Sequence, residues 1–305
     1  MTKSMIAIGL ATLAFCASVP PAAAQDADPL HALRQHALEL VNAAREDAGL
    51  SALRLDPVLD ETAQGHADDM VARDYYAHVG PDGRTPHDRF LAAGGSRWSL
   101  SGENIAMCSG CSPPPDIARV EAFQTGWMQS PGHRENILRP GFDRFGFGVA
   151  TEADEIYAVQ TFAGPGSDGD GAALDSEGVR TAALDAINRR RNEADLPPLE
   201  ANDALDTVAD RILESVTNED GLPDDLFGLL PDGATGWTSL SVQSGSRGGS
   251  GAALSSADVS AFVDDWASAE GTAPLGSERA GQLGFAAATR ADGRATAVVV
   301  FGGRE

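Results

Sequence analysis

Lysine is almost absent from this 305-residue chain: Lys3 is the only one, set against 45 acidic residues, and the formal charge is -23. Beyond residue 3, Schiff-base chemistry and a lysine general base are therefore excluded. So acidic a surface repels phosphate backbones and anionic headgroups, which argues against nucleic acid as a partner. An uncharged lipid in a groove is still permitted. The plain reading of the acidity is solubility of an exported protein. Histidine is scarce as well, with six in total and none after His133. Neither an HExxH nor a GxSxG string occurs, so two common hydrolase signatures are missing.

Long apolar runs are lacking except near the start. Lys3, the apolar stretch from Met5 to Val19 and the small residues Ala22-Ala23-Ala24 read as a signal peptide over 1–24, cleaved near Ala24. The run is too short for a stable membrane span. The expectation is a periplasmic or secreted protein with no span. Of three cysteines, Cys16 falls in that segment, leaving Cys108 and Cys111 as Cys-Ser-Gly-Cys in a compartment that favours disulfides. A short local disulfide is the first reading. Thioredoxin-like redox chemistry is the rival, but Pro113, Pro114 and Pro115 follow where that motif wants a helix.

The Gly-Pro-Gly-Ser-Asp-Gly-Asp-Gly string from Gly164 opens a boundary that we place at 164–178. It divides the chain into 30–163 and 179–305, and the two parts resemble each other. Laid without gaps, Asn42–Ala63 and Asn188–Ala209 agree at Asn42/Asn188, Arg45/Arg191, Leu59/Leu205 and Ala63/Ala209 among others. Phe123 and Trp127 pair with Phe262 and Trp266, and Gly146-Phe147 with Gly284-Phe285. This reads as a tandem duplication, with a degenerate second copy that lacks histidine.

Local patterns give a coarse outline of the first copy. Leu33, Ala37, Leu40, Val41 and Ala44 form a helical stripe that stops at Gly49. Asp56-Pro57 caps a second helix with Leu59, Ala63, His66 and Met70 on one face. Gly146–Ala150 and Ile156–Phe162 read as strands around a polar turn at Glu152–Glu155. Helices followed by strands without strict alternation point to an α+β layer fold.

Three strings carry the chemistry: Tyr76-Ala77-His78 ahead of Arg89; Gly102-Glu103-Asn104-Ile105-Ala106; and Trp127-Met128-Gln129-Ser130-Pro131-Gly132-His133-Arg134-Glu135-Asn136. With Asn42, Arg45 and the Gly-Phe-Gly of 146–148, the segment from His36 to Phe162 resembles the bacterial branch of the CAP superfamily (cysteine-rich secretory proteins, antigen 5, pathogenesis-related 1). That resemblance implies an α-β-α sandwich, here in two tandem copies, with a cleft in which His78, Glu103 and His133 face one another. Relatives from animals and plants carry a further glutamate where this chain has Ser130, so the full tetrad is not present.

Two neutral imidazoles can bind Zn²⁺ or another divalent metal, with Glu103 either completing the shell or orienting a ring. No organic cofactor is implied. Ser130 reads as the cap of a short helix starting at Pro131, whose positive end would keep His133 neutral. His66 reads as a packed, hydrogen-bonded core histidine and His87 as a surface residue. Glu103 could also serve only the backbone donors of a loop. Arg45 is expected to anchor a turn and Arg89 to pair with a local carboxylate.

Three functions follow. The first is an exported binding module for a small molecule, lipid or peptide, with a divalent metal optional. The second is a hydrolase of peptidase type, using a metal-bound water or a Ser130/His133 pair with Glu103. The third is a non-catalytic envelope scaffold working through surface contacts.

Overall fold

The computed structural model describes residues 28–166, 172–268, 275 and 277–304. The signal-peptide reading for 1–24 and part of the 164–178 boundary lie outside the described residues.

The first half runs α1 (Pro29–Asp47), β1 (Arg54–Leu55), α2 (Pro57–Ala72), α3 (Pro86–Ala92), β2 (Leu100–Ser109), α4 (Ile117–Gln129), α5 (Pro131–Ile137), β3 (Arg144–Glu152) and β4 (Glu155–Gly164). Its sheet has the order β1-β3-β4-β2. β3 and β4 pair antiparallel with Glu152 opposite Glu155, so the turn foreseen there is a two-residue hairpin loop. β2 is antiparallel to β4 and lies at the sheet edge.

Alternation along β4 sorts its side chains between two cores. Ile156, Ala158 and Phe162 join α1, α4 and α5 through Val41, Val120, Trp127 and Ile137. Tyr157, Val159 and Ala163 meet α2 and α3 on the other side. The result is an α-β-α sandwich. Each such apolar side chain contributes roughly 1.5–3 kcal/mol on full burial.

The helix starts obey local chemistry. Asp56 accepts from the Val58 and Leu59 amides, with Pro57 in the first turn. Gly146 lets α2 lie against β3, because a Cβ there would come within 2.2 Å of the Leu59 backbone. Arg45, buried at the end of α1, donates to the carbonyls of Ser51, Ile137, Arg139 and Phe142, and so ties three segments together. Burial lowers its pKa from the ordinary arginine value.

The second half repeats the plan: α6 (Ser176–Glu193), β5 (Glu200–Ala201), α7 (Asp203–Thr217), the 3₁₀ turn Phe227–Leu229, β6 (Trp237–Arg247), α8 (Ser256–Ser268), β7 (Gln282–Thr289) and β8 (Ala295–Arg304). Its sheet order, β5-β7-β8-β6, is that of the first with each strand replaced by its counterpart. α6 begins at Ser176, so the boundary segment read from composition already contains a helix start.

The likeness reaches individual bonds. Asn42 clamps Leu53 with two hydrogen bonds and Asn188 clamps Leu199 in the same way. Asp60 accepts the Phe147 amide and Asp206 the Phe285 amide. Gly284 admits α7 as Gly146 admits α2.

The halves meet at the β7–β8 turn. Asp292 accepts hydrogen bonds from Ser96 and Ser99, and the Trp98 ring lies against the guanidinium groups of Arg97 and Arg294.

Candidate functional site

β2 organises the site. Glu103 and Asn104 are neighbours on an edge strand, so their side chains leave on opposite faces of the sheet. Reading Glu103 as a loop residue is therefore corrected: it pairs with Thr161 inside the β2–β4 ladder. The polar Leu-Ser-Gly-Glu-Asn start of β2 hides the strand, because its inward residues serve the site rather than an apolar core.

Glu103 faces α2 and α3, and its side chain is 1% exposed. Oε1 accepts from His78 Nδ1 at 2.8 Å and Oε2 from the Arg89 guanidinium at 2.8 Å. Arg89, at the middle of α3, also donates to the carbonyls of His78 and Arg84. A buried carboxylate is tolerable only when its charge is matched and its lone pairs are used, and both conditions are met here. Because Glu103 accepts from Nδ1, the proton of a neutral His78 ring sits there and Nε2 is left as a free lone pair. The His78 side chain is 47% exposed.

Asn104 serves the other face. Its amide donates to the His133 carbonyl and to Gln160, which in turn donates to Gln124. Asn136 donates to the Glu103 carbonyl and to Asn104 Oδ1. The strand thus holds His78 through one side chain and the backbone of His133 through the next. The two imidazole rings stand 6.5 Å apart, tilted by 50°. Tyr76 and Val79, 45% and 50% exposed, flank His78 with apolar surface, and the Tyr76 hydroxyl donates to the Ile105 carbonyl.

The structure therefore brings His78, Glu103 and His133 close together. It also adds Arg89, Asn104, Asn136 and Gln160. The Glu103-Asn104 and Glu135-Asn136 strings contained two of these residues, Asn104 and Asn136, but no spacing rule singles out an asparagine that bonds backbone.

Other expectations change in detail. Ser130 stands at the N-cap of α5, yet its hydroxyl makes no capping bond. Among the described residues it makes none to His133 either, so a Ser130/His133 pair is not formed. His133 has its pKa lowered, first by burial and then by the charge of His78. The direction is the one expected from the sequence, and the ring is neutral at neutral pH. His87 is half-buried rather than superficial, with Nδ1 2.9 Å from the Ser101 hydroxyl.

His66 is fully buried as foreseen, but it lies 3.7 Å from Glu103. Burial lowers its pKa, against the opposing pull of Glu103. Cys108, at the end of β2, and Cys111 are joined in a disulfide.

The donor set bears on a metal. Both Glu103 oxygens are engaged, and no group of three or more His, Cys, Asp or Glu suited to a metal exists among the described residues. The residues that would hold a metal are His78 and His133, with Glu103 engaged in orienting the first ring.

The counterpart in the second half is emptied. The ladders place Val242 where the first half has Glu103, since Glu103 faces Thr161, whose other neighbour is Gly146, while Val242 faces Val300, whose other neighbour is Gly284. One position on, Gln243 replaces Asn104 and Val299 replaces Gln160. Counting from Leu59 and Leu205, Ile212 replaces His66, and it packs in an apolar cluster with Val298 and Val300 that Val242 covers.

Comparison with known proteins agrees with this division. Residues 38–162 match the model of the cysteine-rich secretory protein family, CAP. The uncharacterized protein YkwD of Bacillus subtilis is 34% identical over 129 residues, 42% of this chain and 46% of that protein. The uncharacterized membrane protein YlbC of the same organism is 35% identical over 125 residues, 41% of this chain and 32% of that one. The chain thus spans less than half the length of either. Among solved structures, an extracellular SCP-domain protein from Bacillus anthracis is 31% identical, with 43% of this chain and 40% of that chain covered and a TM-score of 0.35.

Proposed function

Since residues 38–162 are a CAP domain of the bacterial branch, we propose that the chain is an exported binding module whose cleft takes a small molecule, lipid or peptide between His78 and His133, with a divalent metal as an optional partner. One observation carries this reading: a half-exposed imidazole rests on a buried carboxylate and faces a second neutral imidazole 6.5 Å away. The free Nε2 of His78 can accept from a ligand or coordinate a metal, and the exposed faces of Tyr76 and Val79 offer apolar contact beside it. When bound, Zn²⁺ would supply a Lewis-acidic centre with open positions.

Export is supported by the 1–24 segment, and a disulfide between Cys108 and Cys111 suits an oxidising compartment. No helix among the described residues is long and apolar enough to cross a membrane.

Calorimetric titration of Zn²⁺ into the protein lacking residues 1–24, beside His78→Ala/His133→Ala, tests the proposal. One site per chain that the double variant loses supports it. Equal uptake by both proteins, or by neither together with no binding of peptide or lipid panels, overturns it.

A further inference from the structure

We propose that His66 is a positioning residue of this site: from inside α2 it fixes the backbone beside His78 and flanks the carboxylate that orients the His78 ring. The inference rests on reading the cleft as a binding site. It concerns a residue whose stripe position marks it as core.

His66 Nε2 lies 3.1 Å from the Ala77 carbonyl. A carbonyl only accepts, so the proton of the neutral ring is on Nε2. The same N–H is 3.7 Å from Glu103 Oε1, the oxygen that takes the His78 Nδ1 proton. Arg89 does the matching work from α3, reaching both the His78 carbonyl and Glu103 Oε2 at 2.8 Å. Two buried side chains therefore each hold one carbonyl of the Ala77-His78 pair and border one oxygen of Glu103. Displacing His66 frees the Ala77 carbonyl and loosens the geometry that places the proton on His78 Nδ1.

The molecule supplies its own control. The second half builds the same helix on the same sheet with Ile212 at the position of His66, fully buried, and with Val242 at the position of Glu103. An isoleucine thus satisfies the packing. Histidine and glutamate stand together in the half that has the site, and aliphatic residues stand together in the half that does not.

His66→Ile, the residue the chain itself uses, is the test, with metal-free protein and imidazole ¹⁵N–¹H correlation spectra reporting the His78 tautomer. The parent should show His78 protonated on Nδ1. His66→Ile should shift His78 toward the Nε2-protonated form and weaken Zn²⁺ binding by about 10–100-fold.

His66→Gln, which keeps an amide donor toward Ala77, should hold the parent tautomer and affinity within a few-fold, and this arm stands even if the isoleucine variant does not fold. Three results overturn the proposal: a parent His78 protonated on Nε2, an unchanged His78 spectrum in His66→Ile, or a glutamine variant as impaired as the isoleucine one. The tautomer readout needs no metal, so failure of Zn²⁺ binding in the parent would count against the proposed function alone.

Discussion

Replacing Glu103 by valine, the residue at the matching place in the second half, should cost the first half heavily. The carboxylate is 1% exposed and its partner Arg89 10% exposed, with 2.8 Å between them. Removing one member of a buried pair leaves the other charge uncompensated, at about 3–5 kcal/mol. Glu103→Gln retains an oxygen for Arg89 but loses the charge, and should cost about 2 kcal/mol. Combining Glu103→Val with Arg89→Leu removes both charges and should recover much of the loss, because the scaffold already accommodates aliphatic side chains there in its second copy. Native-state hydrogen exchange of the β2 and β4 amides measures the effect in the first half separately from the second. A cost below about 1 kcal/mol for the single valine variant, well short of that range, would refute the reading of Glu103 as the buried keystone of the site.

Three further outcomes follow from the duplicated scaffold. Gly146→Ala and Gly284→Ala should each destabilise their own half by at least about 1–3 kcal/mol, because the new Cβ meets helix backbone within 2.2 Å and 2.0 Å; denaturant midpoints check this. Burial raises the pKa of Asp60, so its ionised form opposes folding at neutral pH and the parent should gain stability over Asp60→Asn as pH falls through the folded-state pKa, levelling off below the ordinary aspartate value. A pH-independent difference in their unfolding midpoints would contradict that cause. Trp98→Ala with Asp292→Ala removes the Trp98–Arg294 and Ser96–Asp292 side-chain contacts between halves, leaves the backbone bonds of Gly249 to Trp98 and Gly251 to Pro165, and should broaden or split a shared calorimetric transition.

How much of this is legible without coordinates depends on the residue. The α1 and α2 faces, the Asp56-Pro57 start and the β3–β4 hairpin are stated by local patterns of apolar spacing and capping. The duplication is visible as well, and its matched residues do matching work: Asn42 and Asn188 clamp Leu53 and Leu199, and Arg45 and Arg191 each donate Nε to the carbonyl six residues on. His78, Glu103 and His133 are found through ordered motifs. What escapes is anything that depends on approach in space: β2 is disguised by its polar start, Arg89 reaches Glu103 from another helix, and His66 occupies a core stripe position that says nothing of the carboxylate 3.7 Å away. Ser130 invites a catalytic pairing on sequence adjacency alone, and its hydroxyl takes no part in one.

A single site in a scaffold used twice is the central claim. Crystals of the protein lacking residues 1–24, soaked in Co²⁺ and measured at the cobalt edge, test it most directly. The anomalous map should show one peak per chain, between His78 Nε2 and the ring of His133, and no peak in the second half. A map with cobalt elsewhere and none between the two histidines would contradict it.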